Sequence, residues 1–157
     1  MPSHDSLGLS DADRRILRAL QRQGDISNVE LAQAVGLSPS PCLRRVRRLR
    51  EGGVIRSIVA LVDREAVGLE VEAIATLSLS DHGKHSRQAL EQELNVIAEV
   101  VSAWQVTGRS DLVVRIVAPN LKSYAASIER IAGLKAVNSM ESFVVLRSVK
   151  DHSPLPV

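Results

Sequence analysis

At 157 residues the chain has room for one domain or two small ones, and 45% apolar with 24% charged residues is ordinary for a folded globular protein. Aromatics are limited to Trp104, Tyr124 and Phe143, which excludes a stacking platform of the kind single-strand and RNA binders use, and the lone Cys42 excludes an internal disulfide or a multi-cysteine zinc site. No apolar run reaches membrane-spanning length, and the opening MPSHDSLGLSDADRR lacks a basic-then-apolar leader, so the expectation is a cytoplasmic protein with no membrane partner.

Ser10 opens the first expected helix, with Asp13 three residues on and acids in the first turn, where the helix dipole favours them. Ile16, Leu17 and Leu20 form its apolar stripe and Gly24 ends it. A second helix begins at Ser27, whose capping box is completed by Glu30, and Val29, Leu31, Ala32 and Val35 supply its apolar face. Gly36 suits a left-handed turn. Ser38 then offers another cap, with Pro39 at the first helical position, and the third helix is expected to bury Leu43, Val46 and Leu49. Two helices about a glycine turn follow the helix-turn-helix plan, whose second helix enters the DNA major groove.

The charge supports that reading. The formal net charge is only +2, yet Ser38–Arg56 contains six arginines and one acid, Glu51. A local basic patch of this kind favours one polyanion-facing surface over a generally cationic protein. Arginine suits the task because its fork grips a guanine edge bidentately and its charge does not titrate away.

Gly52 and Gly53 close the arginine helix, and residues 54–62 read as an extended strand or hinge, followed by a turn or short helical link in DREAVGL. From Val71 the pattern changes. Val71, Ala73, Ala75, Leu77 and Leu79 fall on one face of a strand, and Leu90, Leu94 and Ile97 mark a helix. Strands are expected over 100–107 and 112–118, separated by the turn Gly108-Arg109-Ser110-Asp111. Leu121, Tyr124, Ala125, Ile128 and Ile131 make an amphipathic helix ending at Gly133, and 137–149 reads as a last long strand. The order βαββαβ is the ferredoxin-like arrangement, with two helices on one face of a four-stranded antiparallel sheet. Ile74, Val113, Val117, Val144 and Leu146 are available to the other face, which is expected to pair with a second copy. The tail DHSPLPV is proline-punctuated and expected to be loosely ordered.

The segments ISNVELAQAVGLSPSPCLRRVRRLREGGVI, RSIVALVDREAVGL and VTGRSDLVVRIVAPN resemble the Lrp/AsnC family of leucine- and asparagine-responsive regulators. The resemblance runs from about Leu7 to the C-terminus. It implies an α+β protein with a winged-helix-like helix-turn-helix domain over 1–53, a hinge strand and linker over 54–69, a ferredoxin-like effector-binding and oligomerisation domain over 70–150, and a tail over 151–157. It implies a sequence-specific, nucleoid-associated transcription regulator of amino-acid metabolism. Its partners would be double-stranded DNA, a small amino-acid effector and further copies of itself, as a homodimer assembling to a tetramer or octamer. Carried over by position, the DNA-binding residues would be Asn28, Ser38, Ser40, Pro41, Cys42, Arg44, Arg45, Arg47 and Arg48. The effector-binding residues would be Gly108, Arg109, Ser110, Asp111 and Ser142. Many members carry an acid and an aromatic where Arg109 and Ser110 stand.

Other readings have weaker residue support. An architectural DNA-bending protein would need the same basic helix but no effector loop. A small enzyme on a ferredoxin-like scaffold would have to use His85 and Asp111, with no nucleophile elbow, phosphate loop or metal-binding helix to assist, so no catalytic residue is assigned. His82 and His85 lack a third and fourth ligand in sequence, so no metal or other cofactor is expected. Trp104, on a strand, fits packing at a core or interface.

Overall fold

Ser10 and Asp13 close a capping box. The Ser10 hydroxyl accepts the Asp13 N–H at 3.3 Å, and the Asp13 carboxylate accepts the Ser10 N–H at 3.0 Å. The helix they start is α1 (Asp11–Arg22), followed by α2 (Asn28–Ala34) and α3 (Pro39–Glu51). The computed structural model describes residues 8–80, 83–150 and 153–157. Residues 1–7, which bear on the expected lack of a leader, lie outside them, as do Asp81, His82, Asp151, His152 and the side chains of 84–86, His85 among them. The chain divides into two units, residues up to Leu61 together with Lys150–Val157, and Val62–Val149.

In the first unit Ser27 and Glu30 form the expected capping box, and Gly36 makes the turn at φ 69°. Ile16, Leu17, Leu31, Ala32, Val35, Cys42, Val46 and Leu49 fill one core among the three helices. Two sequence expectations are corrected. Val29 is exposed, and so is Leu43, whose place in the core is taken by Cys42 at 0% exposure. At about 100° per residue, Cys42, Val46 and Leu49 lie within roughly 60° of one another while Leu43 stands well to one side. The strand expected over 54–62 is absent: the segment bends at Val54 and Ile55 and forms neither helix nor strand. Gly24 meets this segment closely enough that a Cβ would lie 2.8 Å from the Ile58 methyl Cγ2.

The second unit contains β1 (Val71–Leu79), α4 (Lys84–Asn95), β2 (Val100–Gln105), β3 (Leu112–Ala118), α5 (Leu121–Ala132) and β4 (Val137–Val144). The sheet runs β2-β3-β1-β4 with every neighbouring pair antiparallel, which is the ferredoxin-like order. Strand β1 alternates as the sequence requires. Ala75, Leu77 and Leu79 face Leu90, Leu94, Ile97 and Ile131 from the helical layer. On α5 the buried positions are Ile131 and Ser127, whose hydroxyl donates to the Ser123 carbonyl at 3.0 Å, whereas Leu121 and Ala125 of the expected stripe are exposed. Bonding its own backbone is what lets a serine occupy a place the pattern reserves for an apolar side chain.

The opposite face of the sheet differs from expectation at its edge. Register pairs Val144 with Ala73 and therefore puts it on the helical side, and Leu146 lies past the end of β4. Trp104 opposite Val113, and Phe143 opposite Ile74, supply the apolar surface instead. Glu72 crosses this face to Arg115 at 2.6 Å and Arg64 at 3.2 Å, and Arg64 also donates to the Leu69 and Glu70 carbonyls. The 63–70 turn is thereby pinned to the start of β1.

The tail is not loose over its described part. The Leu155 N–H donates to the Gln21 side chain at 2.6 Å, Arg18 donates to the Val157 carbonyl at 2.6 Å, and Val157 packs on the three-helix core.

Candidate nucleic-acid interface and ligand loop

The joint between α2 and α3 is held by side chains reaching for backbone. Asn28 donates through Nδ2 to the Pro39 carbonyl at 3.0 Å, with its Oδ1 buried and unpartnered, and Arg15 donates to the Val35 carbonyl at 3.1 Å. Asn28 thus fixes the start of α3. Ser38 stands at the N-cap of α3 without a side-chain cap bond, and Ser38, Pro39 and Ser40 are all exposed. Pro39 and Pro41 carry no N–H and the Cys42 N–H is taken by the Ser38 carbonyl, so the first turn offers phosphate the Ser40 N–H and the positive end of the helix dipole. Pro41 is half-buried. Cys42 is fully buried, so it faces the core and not a groove, and burial pushes its thiol pKa up.

The four arginines at 44, 45, 47 and 48 separate into two pairs. Arg44 and Arg47 are exposed. Arg45 reaches Asp13 Oδ1 at 3.0 Å and Arg48 reaches Asp13 Oδ2 at 2.6 Å, with Asp13 itself at 0% exposure. Arg45 also donates to the Ser10 hydroxyl at 3.1 Å, and that hydroxyl donates to Asp13 at 2.6 Å. Desolvation works against the Asp13 charge, but hydrogen bonds from Ser10 and Arg45 and the nearby Arg48 outweigh it and hold the carboxyl below its ordinary pKa. The Arg45 and Arg48 side chains keep 34% and 48% exposure, and each guanidinium carries more N–H donors than Asp13 and Ser10 take up.

The second candidate region is the β2–β3 turn. Gly108 adopts φ 119°, which a side chain would resist. Asp111 works as an anchor: its N–H donates to the Leu77 carbonyl, its carboxylate accepts the Leu79 N–H at 2.9 Å, and its carbonyl accepts the Val106 N–H. No hydrogen bond within the described residues takes up the N–H groups of Gly108, Arg109 or Ser110. Ser142 lies elsewhere. It pairs with Ala75 and its hydroxyl accepts from Tyr124 at 2.9 Å, below α5. Leu77 and Leu79 are roughly 7–14 Å along β1 from Ala75 at about 3.4 Å per residue. The Ser142 hydroxyl thus has its partner on α5 and not on the loop. The cavity that Asp111 lines with Leu79, Arg87, Leu90, Glu91, Gln105 and Leu112 measures about 20 Å³, room for a water and not for an amino acid.

Known proteins match both halves of this arrangement. Residues 9–56 fit the family model described as winged helix-turn-helix DNA-binding, and residues 72–155 fit the Lrp/AsnC ligand binding domain. The chain belongs to the Lrp/AsnC family. A leucine-responsive regulatory protein of Rhizobium meliloti is 39% identical over 144 residues, covering 91% of this chain and 92% of that protein. The Escherichia coli protein of the same name is 31% identical over 150 residues, covering 95% and 92%. Among solved structures, a Neisseria meningitidis transcriptional regulator in complex with L-methionine has a TM-score of 0.89 at 31% identity, covering 94% of this chain and 96% of that one. A Mycobacterium tuberculosis feast or famine regulatory protein, complexed with L-methionine, has a TM-score of 0.81 at 29% identity, covering 91% and 95%. As an Lrp/AsnC member the chain is a transcription regulator with a helix-turn-helix DNA-binding domain and an amino-acid-binding domain.

Asp13, Ser10 and Arg15 touch the elements of the candidate interface, contacts that sequence reading missed. The Ser10–Asp13 box was legible as a helix cap, but nothing in the local pattern ties Asp13 to arginines 32 and 35 residues later. Among the described residues no three His, Cys, Asp or Glu side chains converge as metal ligands, and no helix is long and apolar enough to cross a membrane.

Proposed function

We propose that this Lrp/AsnC member regulates genes of amino-acid metabolism by laying α3 in the major groove of double-stranded DNA, with Ser38, Ser40, Arg44 and Arg47 as the primary contacts and Arg45 and Arg48 contributing their outer N–H groups. The observation that carries this reading is the division of α3 into a buried Cys42–Val46–Leu49 stripe and an outward arginine face beginning at an uncapped N-terminus. The protein acts by binding, with no catalytic residue, and works on the nucleoid in the cytoplasm. The test is Arg44→Ala with Arg47→Ala on a DNA site selected from a random pool. The log–log salt dependence of binding flattens by about 2, at about 0.9 for each phosphate no longer neutralised, with thermal stability unchanged. An unaltered salt slope refutes the assignment of α3. A preference for the selected site over random DNA of less than about tenfold favours the architectural reading, since regulators typically exceed a thousandfold.

The effector is an amino acid whose carboxylate is held by the Gly108, Arg109 and Ser110 N–H groups, with Asp111 keeping the turn on β1. L-Methionine, present in the complexes of two relatives, is the first ligand to try. The 20 Å³ cavity beside Asp111, too small for an amino acid, supports a site completed by another copy of the chain. A homodimer covering the Trp104–Phe143 sheet face, and building to a tetramer or octamer, supplies that copy. The two rings are 50% and 53% exposed, the sort of apolar surface that association buries. Calorimetric titration with the twenty amino acids gives heat for at least one of them. The same ligand shifts DNA affinity or assembly by about 1–3 kcal/mol.

A further inference from the structure

The run Arg44-Arg45-Val46-Arg47-Arg48 places two arginine pairs at i, i+3 on α3, turned about 100° from each other. One pair, Arg44 and Arg47, is exposed and has no ion pair among the described residues. The other, Arg45 and Arg48, ends on a single fully buried carboxylate that belongs to a different helix. That carboxylate is itself fixed, because Asp13 Oδ2 also receives the Ser10 N–H and hydroxyl at the head of α1. A buried anion gripping two successive turns of α3 sets the rotation of that helix about its own axis more sharply than apolar packing alone can, because charge-assisted bonds are directional.

The same ion pair has an electrostatic consequence. A guanidinium already facing a carboxylate gains less from a passing phosphate than a free one, so Asp13 lowers the attraction of α3 for any polyanion. Arg44 and Arg47, aimed outward by the fixed rotation, are unaffected. We infer that Asp13 is a positioning residue for DNA recognition: by holding Arg45 and Arg48 from α1 it fixes how α3 meets the groove and restrains unspecific phosphate binding. This rests on the assignment of α3 to the groove given above.

The test compares Asp13→Asn with Asp11→Asn. Both remove one carboxylate from the first turn of α1, but only the first removes the anion that holds the arginines. In Asp13→Asn the salt dependence on random DNA steepens by about 1–2, one or two additional phosphates at about 0.9 each, and preference for the selected site falls roughly tenfold. Asp11→Asn, which makes the same change of charge, leaves both quantities at the parental values. Equal behaviour of the two variants, or a parental salt slope in Asp13→Asn, overturns the inference. Should Asp13→Asn fail to fold, side-chain NMR of the unaltered protein decides. Arg45 and Arg48 then show slowed guanidinium rotation that Arg44 and Arg47 lack, and uniform free rotation of all four overturns it. If Arg44→Ala with Arg47→Ala leaves DNA binding untouched, the assignment of α3 has failed. If that pair responds as expected and Asp13→Asn does not, only the positioning role has failed.

Discussion

Asp13 shows how one side chain serves several levels of the structure. It is an N-terminal cap for α1, a partner for two arginines of α3, and a buried charge. Its folded pKa is depressed, so its contribution to stability is present above the unfolded value near 3.8 and disappears as pH falls through the lower folded value. The groups facing it are Ser10, Arg45 and Arg48. Urea midpoints should therefore hold steady from neutral pH down to about 5 and fall below about 4, with that acid limb reduced in Asp13→Asn. At neutral pH the substitution should cost about 1–3 kcal/mol, short of the value for a fully buried pair because the arginines are partly exposed and screened. Cys42 gives a second expectation at this scale. Buried and with a raised pKa, its thiol should react with an alkylating reagent only as fast as the first unit opens.

Elements were legible in the sequence where a single rule governed them. The Ser27–Glu30 box, the Gly36 turn and the strict alternation of β1 all have short-range chemical causes and stand where the pattern placed them. Gly36 at φ 69° has open space around it, so Gly36→Ala should cost about 1–2 kcal/mol from backbone strain alone, measurable as a lower thermal midpoint. Errors arose where several side chains compete for one face. Cys42 and Leu43 are both apolar neighbours, and only the azimuths of Val46 and Leu49 decide which turns inward. Val144 looked like part of the opposite sheet face until register with Ala73 put it on the helical side, where it is still 43% exposed. Of the candidate site, the arginine cluster was readable as a patch, but its partition into held and exposed pairs depends on an acid supplied by another helix. The loop's Asp111 was readable as a turn residue, yet its grip on Leu77 and Leu79 needs the β1–β3 pairing to exist first.

For the whole molecule, cationic charge is gathered in one stretch of sequence. Six arginines against one acid over Ser38–Arg56 concentrate the cationic character in a chain whose net charge is only +2. Trp104 and Phe143 give the sheet its two exposed rings. Affinity for DNA should accordingly depend steeply on salt, whereas self-association should not. Trp104→Asp should shift the sedimentation profile toward smaller species while leaving circular dichroism of the helices unchanged. A variant that sediments like the parent protein would count against the sheet face as the meeting surface.

The first unit is not contiguous in sequence. Its core is completed by Val157, held by Arg18 across a separation of 139 residues, so the shortest fragment carrying all of α1 to α3 still lacks one of its own packing pieces. Expressed alone, residues 8–61 should melt at a lower temperature than the same unit in the full chain. A synthetic peptide spanning 153–157 should bind this fragment weakly and restore part of the difference, as an excised plug returned to its socket.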